Sequence, residues 1–356
     1  MRTRKQTRAE ESAEAASSPT PPSAPTVVSI TKIEGPATTT SPKRDGDGSY
    51  DTQSAAAARS KLPKLIQFPL VAILSLALSQ LGYSLTWAYT KGALTAHARL
   101  LNTWTDVGLV VGWRLFELAL GWFGNYDGYD ITALNLLSSG PLLYLLFAFY
   151  ETPASALLLT LAIETAATYI PFRLLRPLSA AHADPSRAPN AEIVADRPIA
   201  LLTTLLAGAI YSVTLFLAYA TYLPSYLVVY FASLPSVASA HEATYVGLLP
   251  VTLALGFAAR SFIFAPAEEA GKAERFDPAS ATLPETVRWN FWGWSAQTKV
   301  VIRRTALLML VAGTNTFLQT RLTVDGVETP GAAAWSSVWV LAAAVTGVGL
   351  AAVGSV

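Results

Sequence analysis

The sequence predicts an all-α fold: a polytopic membrane helix bundle of eight spans, preceded by a disordered N-terminal tail. Three observations lead there. Hydrophobic residues make up 52% of the 356 residues and charged residues 14%, against roughly a quarter charged in an ordinary soluble domain. Mean hydropathy is +0.39 although the first sixty residues are polar, so the apolar excess is concentrated in the rest. That rest contains repeated apolar runs of about 20 residues, the length that crosses a hydrocarbon layer as a helix.

Composition also excludes several function classes. The net charge of +1 provides no field for a nucleic-acid partner. The absence of cysteine rules out disulfides, thiolate metal sites, a cysteine nucleophile and palmitoylation.

Residues 1–60 are rich in Ala, Ser, Thr and Pro, as in "SSPTPPSAP". Such a stretch has too little apolar surface to offset chain entropy and is expected to be a disordered cytoplasmic tail, leaving 61–356 as the transmembrane domain. Its start, "MRTRKQTRAEESAE", has no apolar core behind the basic residues, unlike a secretory signal. Glu10, Glu11 and Glu14 are foreign to a mitochondrial presequence, which favours an endomembrane or the plasma membrane over mitochondria.

Spans are expected at 65–89, 152–172, 199–223, 245–264, 300–320 and 332–354. Arg303 and Arg304, near the start of 300–320, are expected to snorkel toward the interface. "SYLVVYFASL" (225–234) is too short to cross and reads as interfacial or re-entrant. Two further segments are ambiguous. "ITALNLLSSGPLLYLLFAFY" (131–150) is interrupted by Gly140-Pro141, and 104–123 carries Asp106, Arg114 and Glu117. Loop arginines and lysines cluster before the first span, in 173–198 and in 265–299, which places these loops and both termini in the cytoplasm. An even number of crossings must then separate the tail from 173–198. Both ambiguous segments cross, giving eight spans, or neither does, giving six; eight is preferred.

Alone, 104–123 should not insert. Its apolar side chains gain about 3–5 kcal/mol on an insertion scale, and Arg plus Glu cost about 5–7 kcal/mol. Insertion requires that Arg114 and Glu117 face protein. Glu164, deep in the fourth span, lies at matching depth, so Arg114 has two prospective carboxylate partners; Asp106 lies nearer the outer surface. Gly108 and Gly112 lie on the opposite side in small-xxx-small spacing, which predicts that this face is packed too. The break at "SSGP" lies near the same layer, and interrupted helices beside intramembrane charge point to a transport path.

Trp289, Phe291, Trp292 and Trp294 in "WNFWGWS" predict an interfacial aromatic belt beside a basic flank. Ala343, Gly347 and Ala351 form a bundle or dimer face. Asp127 and Asp130 in "GNYDGYD" read as turn residues. No zinc-protease helix, phosphate loop or nucleophile elbow is present, so no catalytic residue, metal or cofactor is expected and the chain is not predicted to be an enzyme. The expected partners are the lipid bilayer and a membrane protein or a second copy of the chain. The expected function is association, as a scaffold, assembly factor or subunit. The alternative is a secondary transporter or channel whose path passes Arg114, Glu117 and Glu164.

Overall fold

The computed structural model describes residues 63–90, 92–184, 196–264 and 282–354. The tail expected at 1–60 and residues 265–281 of the 265–299 loop lie outside these residues. Among the described residues the chain is helical, with two isolated β-bridges, Ala98 with Val324 and Phe231 with Val327.

Among the described residues, eight long helices carry the fold: α1 (Lys64–Thr90), α2 (Trp104–Phe123), α3 (Gly128–Phe149), α4 (Ala154–Leu175), α6 (Arg197–Ala220), α9 (Tyr245–Ile263), α11 (Ala296–Thr323) and α12 (Thr329–Gly354). Short helices sit between them: α5 (Ala180–Ala183), α7 (Leu223–Tyr230), α8 (Ala238–His241) and α10 (Leu283–Trp292). Seven of the long helices are long and apolar enough to cross a membrane; α2 is outside that set. It is 20 residues long but holds three charges.

The ends have chemical causes. Thr103 caps α2 by accepting from Asp106 N, and Asp127 caps α3 by accepting from Tyr129 N and Asp130 N. Thr244 caps α9 and Ser295 caps α11 in the same way. Asn125 adopts φ 62°, a left-handed conformation that asparagine tolerates better than most residues. That residue lets the chain reverse between α2 and α3.

The expected break at Gly140-Pro141 is not there. α3 runs unbroken through Pro141. A proline in a helix leaves one carbonyl unpaired, which a tightly packed neighbour compensates, and Pro141 is buried among neighbouring helices. A Cβ on Gly140 would come within 2.8 Å of Leu255 Cδ2 of α9. The Gly-Pro pair therefore serves close packing, and the argument for transport from an interrupted helix falls.

The connections gather at two ends. At one, Arg99 N donates to Thr323 O, Asp325 N to His97 O, Ala232 N to Gly326 O and Glu328 N to Tyr230 O; His97 also packs on Tyr150, ring centroids 5.0 Å apart. At the other, Arg176 donates to the carbonyls of Gly121, Trp122 and Tyr126, and Arg304 to that of Phe262. Every second connection returns to the same end. The eight long helices, α2 included, thus alternate in direction. Short α7 lies at the first of these ends, where Phe231 and Val327 bridge.

The core sits among α3, α6, α9, α11 and α12. Trp335 stacks on Tyr144 at 6.3 Å and meets Trp339 at 5.6 Å and Phe149 at 6.1 Å, edge-on in both cases. Such offset and edge-to-face geometry is the preferred one for aromatic rings. α6 and α9 touch backbone to backbone, with Gly256 against Gly208, as small residues allow in apolar surroundings. Gly347 lies against Thr305 of α11. The small-residue face of the last helix is therefore used within the chain at this point. Gly108 and Gly112 differ from expectation: a Cβ on either would meet nothing within 4 Å. α2 stands at the edge of the bundle, with one packed face and one open face.

Candidate functional site

Arg114 lies midway along α2, where the helix turns its polar stripe toward α1, α3, α4 and α11. Its guanidinium is shared among three helices. Nη1 donates to Asn135 Oδ1 of α3 at 3.1 Å and, more weakly, to Glu117 Oε2 one turn on at 3.4 Å. Nη2 donates to Thr168 Oγ1 of α4 at 2.7 Å and pairs with Glu164 Oε2 at 3.2 Å. Glu164 is held from its other side as well: Oε1 accepts from Tyr83 Oη at 2.8 Å and from Ser79 Oγ at 3.1 Å, both on α1. Next to this array, Trp113 Nε1 donates to Asn315 Oδ1 of α11 at 3.1 Å, and Asn315 Nδ2 donates to Ser138 O of α3 at 3.0 Å. One guanidinium and one indole thus tie the marginal helix to three neighbours, α3, α4 and α11.

The two acids are not equivalent. Glu164 accepts two hydroxyl donors and a close guanidinium. Glu117 is buried, with a longer contact of 3.4 Å to Arg114, and its Oε1 has no hydrogen-bond partner. Asn135 Nδ2 is likewise unpartnered. A void of about 10 Å³ touches both residues. A larger cavity of about 280 Å³ opens on the other side of Arg114, with Glu117, Glu164, Tyr83 and Trp113 in its wall.

Asp106, named with this group from sequence, is not part of it. It reaches Arg99 at 4.0 Å near the end of the bundle. Of the aromatic belt, Trp289 and Trp292 belong to α10 and Trp294 follows it; Trp292 and Trp294 are exposed. The Phe291 side chain lies outside the described residues.

A second polar cluster, at the opposite end from the Arg99–Asp106 pair, was read from sequence as turn residues and a snorkelling arginine. Asp130, in the first turn of α3, is buried and takes both amino groups of Arg304, Nη1 at 2.7 Å and Nη2 at 3.2 Å. Arg304 also donates to Phe262 O at 2.8 Å and lies over the Tyr126 and Phe262 rings. It turns inward because a bidentate carboxylate and two aromatic faces suit a guanidinium better than a snorkelled exit; Arg303 beside it is exposed. Asp127 Oδ2 accepts from Ser179 N at 3.0 Å, Ser179 Oγ at 2.8 Å and His182 Nδ1 at 2.6 Å. Burial alone would raise the Asp127 carboxyl, but the hydrogen bonds from His182, Asp130 and Ser179 outweigh it and hold the group well below the usual range. The hydrogen bond to Asp127 raises His182 above its ordinary value, against the opposing effect of burial.

Asp127, Asp130 and His182 bring ligand-type atoms within 4.8 Å of one another. A cation there would have to displace Arg304 from both Asp130 oxygens and the backbone donors from Asp127. Their own neighbours already satisfy these oxygens, which argues for a structural latch. Sequence could not find the latch, because its partners lie 174 and 55 residues apart and neither pair shares a helix.

Residues 196–353 are similar to a protein family described as the Bouquet formation protein 3 C-terminal domain. The stretch, under half of the chain, runs from the N-cap of α6 almost to the end of α12. No curated protein and no solved structure matches the chain. Arg304 and Asn315 lie inside the similar stretch. Their partners Asp130, Ser138 and Trp113 lie outside it, so these bonds join the two parts of the bundle.

Proposed function

We propose that this chain is an eight-span integral membrane protein that acts by association, as a scaffold, assembly factor or subunit, and catalyses no reaction. The observation that carries the reading is the similarity of residues 196–353 to a family named for bouquet formation, a name that denotes building a structure and not a reaction. The charge pairs support it. Arg114 and Arg304 are each shared among acceptors on neighbouring helices, the arrangement of fasteners that set register. In this reading both termini and the loops 173–198 and 265–299 face the cytoplasm, residues 1–60 form a separate cytoplasmic tail, and the membrane is an endomembrane or the plasma membrane.

A native-size measurement tests association. The tagged full chain, extracted from its own membranes in mild detergent, is expected to migrate as a complex of defined stoichiometry, larger than the 37.9 kDa chain with its detergent belt. A monodisperse single chain across extraction conditions overturns the reading.

One observation favours a second reading, a solute path past Arg114, Glu117 and Glu164. That is the cavity of about 280 Å³ beside them. Uptake dependent on this chain in sealed vesicles would select it over the first.

A further inference from the structure

The polar cluster midway along α2 holds one guanidinium and two carboxylates: Arg114, Glu117 and Glu164. Arg99 and Asp106 form a separate pair nearer the end of the helix. If all three groups are ionised, the cluster carries one uncompensated negative charge at mid-depth of the bundle, where such a charge is costly. The geometry says which acid carries it. Glu164 is claimed by Arg114 at 3.2 Å, by Tyr83 and by Ser79. Glu117 has a longer 3.4 Å contact with Arg114 and lies beside Trp113, and its buried Oε1 has no hydrogen-bond partner.

The cavity of about 280 Å³ in whose wall Glu117 stands is lined by apolar residues, Leu76, Val110 and Leu142 among them, and by Trp113, Tyr83 and Glu164. An acid with unspent acceptor capacity, two aromatic rings and an apolar floor are the features that receive an ammonium group with a short hydrocarbon body. The carboxylate neutralises the charge, the ring faces attract it, and the apolar wall takes the body. An anion would meet two carboxylates against one guanidinium that is already committed.

We propose that this cavity is a binding site for a small organic ammonium ion, with Glu117 as its counter-ion and Glu164 fixed by Arg114 as part of its wall. The site stands whether the chain carries its ligand across the membrane or only responds to it, and it does not depend on association. The ammonium has two sources, a free amine or a lipid headgroup.

The test uses the full chain in nanodiscs of phosphatidylglycerol, whose headgroup carries no ammonium. The probe is radiolabelled phenethylammonium, with neutral phenethyl alcohol as competitor. Saturable binding near one per chain is expected, unaffected by the alcohol. Glu117→Gln, which keeps the shape, should weaken it by about tenfold or more. Ser139→Phe, placed in the cavity wall, should abolish it while thermal unfolding stays cooperative, which separates lost binding from lost folding. Adding phosphatidylethanolamine distinguishes the sources: displacement of the probe identifies a headgroup, and unchanged binding identifies a free amine. No saturable binding, equal binding by wild type and a folded Glu117→Gln, or equal competition by the alcohol overturns the proposal.

Discussion

Asp127 and His182 show how a helix cap and a residue of the short α5 become a pH-dependent latch. The His182 pKa in the folded chain lies above its ordinary value of 6.5, so its contribution to stability is fully present below about 6.5 and is lost as pH rises through the raised value. Asp127 is depressed below its ordinary 3.8; its contribution is present above that value and is lost only as pH falls toward the depressed one. A scan from about pH 6 to 9 therefore reports on the His182 side of the pair and not on Asp127. The melting temperature of the wild type in detergent should exceed that of His182→Asn at pH 6, and the gap should narrow toward pH 9. A gap constant across the range contradicts the latch. Nothing in the sequence assigns His182 a partner. Its distance to Asp127 is set by how α4 returns toward the α2–α3 turn, which no local pattern encodes.

α2 shows the opposite balance at the scale of an element. Its boundaries, its intramembrane charges and the need for partners follow from the apolar run and from the cost of burying Arg114 and Glu117. Which partners answer is set by depth, and depth can be read by counting residues: Arg114 reaches both Glu117 and Glu164. The hydroxyl donors Ser79 and Tyr83 are harder to find, though their i, i+4 spacing on α1 is a polar stripe in an apolar run. Two patterns misled. Gly108 and Gly112 suggested a packed second face, and Gly140-Pro141 a broken helix, because small residues and proline in apolar helices are compatible with several packings. The dependence of α2 on its arginine gives a direct test. Arg114→Leu leaves two acids without a cation and should lower stability by about 3 kcal/mol or more. Arg114→Leu with Glu164→Leu returns the cluster to the wild-type net charge and should recover more than half of that. Thermal unfolding of the single and double variants in detergent decides it. A double variant no more stable than the single one shows that Arg114 and Glu164 are not a buried pair.

For the whole molecule, the all-helical architecture was legible because apolar runs of about 20 residues have few other solutions. The arrangement of helices was not. The aromatic core of Tyr144, Phe149, Trp335 and Trp339 joins residues from α3 and α12, and the Asp130–Arg304 pair joins α3 to α11. Long-range contacts of this kind leave no local periodicity. Yet they bind the part of the chain similar to a known family to the part that is not, and they turn eight alternating helices into one bundle. The central claim is that α2 crosses the membrane as one of eight. The chain has no cysteine, so single-cysteine labelling by a membrane-impermeant maleimide in sealed vesicles has no background. Thr95→Cys and Ser239→Cys should be labelled from the same side of the membrane, and Asn125→Cys from the opposite one. Labelling of Asn125→Cys from the same side as Thr95→Cys would contradict the eight-span bundle.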